Sequence, residues 1–197
     1  STGFIVTEEE TRIISDFCHR RAQKGTKVFV DPIMGDNGKL YAGVPESTIG
    51  LMRSLVECAD YAVPNYTEAC LLTDTPIAEE ITADEVRALV DAMLALGTKS
   101  VVITSAKVDG ASAVVGYDHV AGEYFEIPFE LIPVYFPGTG DTFSAVLMGR
   151  VMSGWSLQRA TADAMRVVAE LIERNADQED KSAGLPIEAC LDVIDHE

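Results

Sequence analysis

The 197 residues are enough for one domain with a proper core, and a hydrophobic content of 47% suits a globular protein. A net charge of −17 argues against a nucleic-acid partner, and it requires any phosphate site to be built locally from backbone amides and a metal ion. No apolar run is long enough to span a bilayer and no charged-then-apolar leader opens the chain, so no membrane partner is expected and the cytoplasm is the expected location.

The chain opens at Ser1-Thr2-Gly3-Phe4-Ile5-Val6, which reads as the end of a strand, as if the fold were entered partway. Thr7 and Glu10 form a capping box for a helix that repeats Ile13, Ile14, Phe17 and Cys18 and ends at Gly25. Lys27 to Val30 is a short β-rich run stopped by Asp31-Pro32, because proline cannot donate to a ladder. Ser47 to Cys58 is helical, and Tyr61 to Val63 is a brief strand. Pro64-Asn65 then turns the chain into a helix around Tyr66 to Leu72. A second capping box, Thr82 with Glu85, starts a helix whose Val86, Leu89, Val90, Met93 and Leu94 make a core-facing stripe. Ser100 to Thr104 is a near-continuous apolar strand, typical of a sheet covered on both faces. Ala111 to Tyr117 and Tyr124 to Pro128 read as a hairpin. Two helices follow, about Thr142 to Ser153 and Leu157 to Asn175, and Pro186 to Ile194 is a last amphipathic helix. The four cysteines lack metal-ligand spacing and read as reduced thiols in or near the core. Strands alternating with helices predict an α/β fold, a single domain over residues 1–197 with a mostly parallel sheet flanked by helices.

Ligands on such sheets bind beyond the carboxyl ends of the strands. Polar residues collect at four such places. They are Asp31 to Gly38, Pro64 to Glu68, Thr104-Ser105, and the loop Gly138-Thr139-Gly140-Asp141. In the last of these, glycines let the backbone take positive φ and let a ligand approach, and the first amides of the following helix make an anion site suited to phosphate. Asp141 stands where a carboxylate could accept a proton from a hydroxyl being phosphorylated. Asp36 and Glu68 are hard oxygen ligands for Mg²⁺, which keeps several waters and is completed by substrate phosphates. Ordinary alternatives exist: a strand-ending turn for Asp31-Pro32, a helix cap for Asn65, a solvated charge for Asp36 and Glu68, an N-cap for Asp141. Recurrence at all four places favours the site.

With Val30-Asp31-Pro32-Ile33-Met34-Gly35-Asp36, Pro64-Asn65-Tyr66-Thr67-Glu68, Val101-Val102-Ile103-Thr104-Ser105 and Gly138-Thr139-Gly140-Asp141 in this order, the sequence resembles the ribokinase-like superfamily. Within it the pyridoxal (pyridoxine, pyridoxamine) kinases are the best match. The likeness runs from about Gly3 to the C-terminus and lacks the family's N-terminal portion, so a ribokinase-like fold incomplete at that end is expected. The resemblance implies ATP-dependent phosphorylation of the hydroxymethyl group of a B6 vitamer, with Asp141 accepting its proton. Gly138, Thr139 and Gly140 would form the anion hole, with Thr139 also on the ATP side. Asp36 and Glu68 would position Mg²⁺, with Asp31 nearby and on the ATP side. Asn65, Glu68, Thr104 and Ser105 would contact the nucleotide phosphates, and Tyr41 would lie over the site on the substrate side. ATP with Mg²⁺, a monovalent cation as a further candidate, a B6 vitamer and a homodimer are the implied cofactors and partners. Many relatives carry Thr directly before the Pro-Asn pair; Val63 stands there and removes one hydroxyl.

Two other functions compete. A hydroxymethylpyrimidine kinase of thiamine synthesis would usually have Cys where Asp141 stands. A catalytically inactive nucleotide-binding module follows from the absent N-terminal portion. A Rossmann oxidoreductase fits less well, because its glycine-rich turn should follow the first strand.

Overall fold

A side-chain cap sets where the first helix begins. Thr7 accepts a hydrogen bond from Glu10 N (3.2 Å) and starts α1, Glu8–Ala22. Because α1 meets the next helix along one edge, Cys18 is buried while Ile13 and Phe17 stay more than half exposed. The computed structural model describes residues 1–194. These divide into two compact units, one of residues 1–129 and one of residues 130–194 among those described.

The first unit carries a five-stranded sheet in the order β1 (Phe29–Val30), β4 (Tyr61–Ala62), β5 (Ser100–Val108), β6 (Ala111–Asp118) and β7 (Glu123–Pro128). β1, β4 and β5 run parallel; β6 and β7 add the predicted hairpin antiparallel, so the sheet is mixed. The α/β class is the one expected. Just before β4, the side chain of Asp60 joins the end of the β1–β4 ladder. Its Oδ2 accepts from Val28 N (2.9 Å), while Lys99 Nζ holds Oδ1 (2.7 Å). Burial pushes the Asp60 carboxyl up, but the Lys99 bond, the Val28 amide and the charge of Lys27 (3.9 Å) together hold it below its usual range.

Helices α2 (Thr48–Val56), α3 (Tyr66–Thr73) and α4 (Ala83–Ala95) complete the unit. Met52, Leu55 and Val56 of α2, Leu72 of α3 and Met93 of α4 are fully buried with Val30, Ala62, Val101 and Ile103 of the sheet. Each such large side chain contributes about 1.5–3 kcal/mol through area removed from water. The Thr82–Glu85 capping box is present at the head of α4.

The second unit is helical: α5 (Thr139–Met152), α6 (Leu157–Arg174) and α7 (Leu191–Ile194). The predicted last helix is a 3₁₀ turn, Ile187–Cys190, followed by the single turn of α7. Leu157, Ala160, Thr161, Ala164, Val167 and Leu171 form the buried stripe of α6, at the spacing of one helix face. Arg150 of α5 ties to Asp163 of α6 (2.7 Å), and Arg166 binds the same carboxylate (2.9 Å). All four cysteines are free thiols, three of them buried. No helix among the described residues is long and apolar enough to cross a membrane.

Candidate active site

In the first unit the site grows from the head of α3. Asn65 adopts an extended backbone and its Oδ1 accepts from Glu68 N (2.9 Å), while Glu68 Oε2 accepts from Asn65 N (2.9 Å). This is a reciprocal capping box, so the helix-cap alternative for Asn65 is correct as far as it goes. The same two side chains reach further. Asn65 Nδ2 donates to Gly35 O (2.8 Å), and Glu68 Oε1 accepts from Met34 N (3.0 Å) and Gly35 N (3.4 Å).

What they grip is a hairpin absent from the sequence reading, β2 (Gly35–Asp36) with β3 (Lys39–Leu40). Its signal was Asn37-Gly38 between the strands. Both residues have positive φ (52° and 80°), as a two-residue hairpin turn requires. Gly35 is obligatory, because a Cβ there would lie 2.5 Å from Lys39 O. Asp36 sits at the turn, accepting from Asn37 N (2.7 Å) and Asn37 Nδ2 (3.1 Å), and remains partly exposed. Tyr41 follows β3, tied by its amide to Met34 O (2.9 Å), with a side chain 44% exposed.

Glu68 is no solvated charge: it is 3% exposed. Burial pushes its carboxyl up to about 7, the three amides pull the other way, and the charge of Asp31 adds to the rise. A divalent cation would offset both burial and repulsion. No group of three or more His, Cys, Asp or Glu among the described residues could hold a metal ion by itself. The residues nevertheless fit a hydrated Mg²⁺. Glu68 Oε2, with one amide bonded, has a lone pair for a water of its shell, and Asp36 offers a second hard oxygen donor.

Thr104 and Ser105 were expected at a strand end. Instead β5 continues to Val108, and the two residues form an irregularity between Ile103 and Ala106 in its pairing with β6. Ser105 is left-handed (φ 59°) and exposed. Thr104 N donates to Pro64 O (3.0 Å), and Thr104 bridges Asn65 in parallel register. A bulge re-aims side chains that a regular strand would send into the sheet faces. The first unit thus brings Asp31, Gly35, Asn65, Glu68 and Thr104 together, with Asp36 carried by the attached hairpin.

In the second unit, Phe136 is buried and Gly138 takes φ 82° as the N-cap of α5, with no side-chain cap hydrogen bond. Gly138 O accepts from Thr142 N (3.0 Å) and Thr142 Oγ1 (2.9 Å), closing the first turn. The amides before Thr142 have no helical carbonyl to bond and carry the positive end of the helix dipole. Asp141 is exposed beside them, its Oδ2 within 3.9 Å of where a Cβ on Gly138 would lie. Chemically this loop offers backbone donors for an anion and, one residue on, a carboxylate able to take a proton.

The chain matches the phosphomethylpyrimidine kinase family over residues 1–185. It is 33% identical over 174 residues to a pyridoxal kinase of Arabidopsis thaliana, covering 83% of this chain and 53% of that protein. The chain spans about half the length of the curated relatives it matches. A Bacteroides thetaiotaomicron VPI-5482 protein classed with the phosphomethylpyrimidine kinases, solved in a form with pyridoxal, superposes with a TM-score of 0.91. It is 31% identical, over 99% of this chain and 70% of that one. The pyridoxal kinase of Leishmania donovani, in complex with ADP and pyridoxine, gives a TM-score of 0.79 at 26% identity, over 99% and 68% of the two chains.

Proposed function

The chain belongs to the phosphomethylpyrimidine kinase family, and from that premise we propose that its protein transfers the γ-phosphoryl group of ATP to the hydroxymethyl group of pyridoxal, pyridoxine or pyridoxamine. The observation that carries this reading is the head of α5: a left-handed Gly138, amides without helical partners, and an exposed Asp141 in the first turn. The names of the relatives, and the ADP and B6 vitamers bound to two of the solved structures, point the same way.

In this reading Asp141 orients the hydroxymethyl group and accepts its proton as the oxygen attacks phosphorus. The amides of Gly138, Thr139 and Gly140 receive the transferred phosphoryl oxygens. The transition state is loose, so orientation and charge stabilisation dominate over basicity. Asn65, Thr104 and Ser105 hold the nucleotide phosphates, with Asp31 alongside. Mg²⁺, when bound through Asp36 and Glu68, neutralises phosphate charge. Tyr41, exposed after the β2–β3 hairpin, covers the substrate side. A monovalent cation and a homodimer belong to the same reading.

A hydroxymethylpyrimidine kinase is the second reading, favoured by the name of the matching family. Asp141, at a position where such kinases usually carry Cys, favours a B6 vitamer. The test is Mg²⁺- and ATP-dependent ADP release with pyridoxal, pyridoxine, pyridoxamine and hydroxymethylpyrimidine in parallel. The proposal expects at least one vitamer to be turned over well ahead of the pyrimidine. Faster turnover of the pyrimidine would transfer the assignment to it, and binding of Mg-ATP with no turnover of any acceptor would leave a nucleotide-binding module.

A further inference from the structure

Between Asn65, the N-cap of α3, and Glu68 in its first turn lies Thr67, which has been given no role. It is 4% exposed, and its Oγ1 accepts a hydrogen bond from Gly38 N at 2.9 Å. Gly38 is the second residue of the β2–β3 turn, where both turn residues are left-handed.

The hairpin needs outside support. Its ladder is two residue pairs, Gly35 with Leu40 and Asp36 with Lys39, and a two-stranded ribbon of that length is not stable alone in water. Its base is held by Asn65 and Glu68 through Gly35 and Met34. Its tip is held by Thr67, while Ile77 Cγ2 lies 3.8 Å from the position of a Cβ on Gly38. The tip is where Asp36 sits. Because the Asp36 carboxylate is bonded to the amide and side chain of Asn37, it moves with the turn.

Resting on the reading that Asp36 serves the metal, we infer that Thr67 is a positioning residue: by clamping the Gly38 amide to α3 it fixes Asp36 relative to Glu68. Base and tip are then anchored to the same helix end, so the spacing of the two carboxylates is set by α3 rather than by a short ladder. Loss of the hydroxyl would leave the Gly38 amide to water and let the turn swing on its base. The consequence falls on the metal requirement, before any chemistry at Asp141.

Thr67→Val keeps the shape and removes the acceptor; Thr67→Ser keeps the acceptor. In the full protein, two quantities are read for each variant. One is hydrogen exchange of the Gly38 amide by NMR; the other is Mn²⁺ affinity of the nucleotide-bound form by electron paramagnetic resonance. Neither needs turnover, so a failure here is separate from a failure of the acceptor panel above. Thr67→Val is expected to speed Gly38 exchange and weaken Mn²⁺ binding, each about tenfold, the worth of one hydrogen bond. Thr67→Ser is expected to stay within about twofold of the native protein on both. Unchanged Gly38 exchange in Thr67→Val overturns the clamp. Faster exchange with unchanged Mn²⁺ affinity, or equal loss in both variants, overturns the positioning role.

Discussion

The heads of α3 and α5 are both helix N-termini drawn from the same kind of sequence signal, yet they are finished in opposite ways. At α3 the chain supplies its own acceptor: the carboxyl of Glu68, 3% exposed, takes the amides of Asn65, Met34 and Gly35. At α5 the cap is a left-handed glycine that contributes no side-chain hydrogen bond, and the nearby carboxylate of Asp141 is exposed. A helix end filled from within acts as a brace, holding the β2–β3 hairpin. One led by glycine leaves its amides for an anion from outside. The brace has an energetic cost, visible in the Glu68 carboxyl pushed up to about 7.

Removing the inner carboxyl should do the most damage. Glu68→Ala strands three backbone amides, and at about 1 kcal/mol or more for each, unfolding free energy should fall by roughly 3 kcal/mol. Denaturant titration measures this directly, and a loss no larger than that of Asp141→Ala would erase the contrast between the two helix ends.

Next in size is a pH effect. The Glu68 carboxyl ionises near 4.5 in an ordinary setting and near 7 in the fold, so between those values the folded state holds the proton that the unfolded chain has lost. Stability contributed by this group is therefore full below about 4.5, falls as pH rises through 7, and levels off above. The change is at most about 3 kcal/mol. Glu68→Gln should flatten the wild-type difference between urea unfolding at pH 5 and at pH 8. An unaltered difference would place the titration elsewhere.

The smallest effect concerns the open end. Gly138→Ala puts a Cβ on a residue at φ 82°, costing about 1 kcal/mol of backbone strain, while its nearest contact, at 3.9 Å, is no clash. A modest drop in melting temperature with clearly weakened nucleotide binding is expected. A larger stability loss with binding intact would make this glycine a structural cap only.

How much of this could be read from sequence follows from how local each signal is. The caps Thr7 with Glu10 and Thr82 with Glu85 involve residues three apart, and both helices start where those residues indicate. The hairpin at 111–128 announced itself by two β-rich runs around a polar turn. The β2–β3 hairpin was legible in Asn37-Gly38, but its strands are two residues long, too short for any alternation to register. Thr104-Ser105 looked like a strand end because polar residues interrupted an apolar run. The cause is a bulge that depends on pairing with β6, residues distant in the chain. Burial of Glu68 was likewise hidden: its partners Met34 and Gly35 lie more than thirty positions away. The residue types at the candidate site were visible, whereas the hydrogen bonds that hold them were not.

Transfer of the γ-phosphoryl group from ATP to the hydroxymethyl group of pyridoxal, followed by ³¹P NMR in the native protein and in Asp141→Asn, tests the kinase reading most directly. Asp141→Asn is expected to leave nucleotide affinity intact and to slow transfer by about 10²–10⁴-fold, the range for loss of a positioned proton acceptor. Transfer at the native rate in Asp141→Asn would contradict the kinase reading.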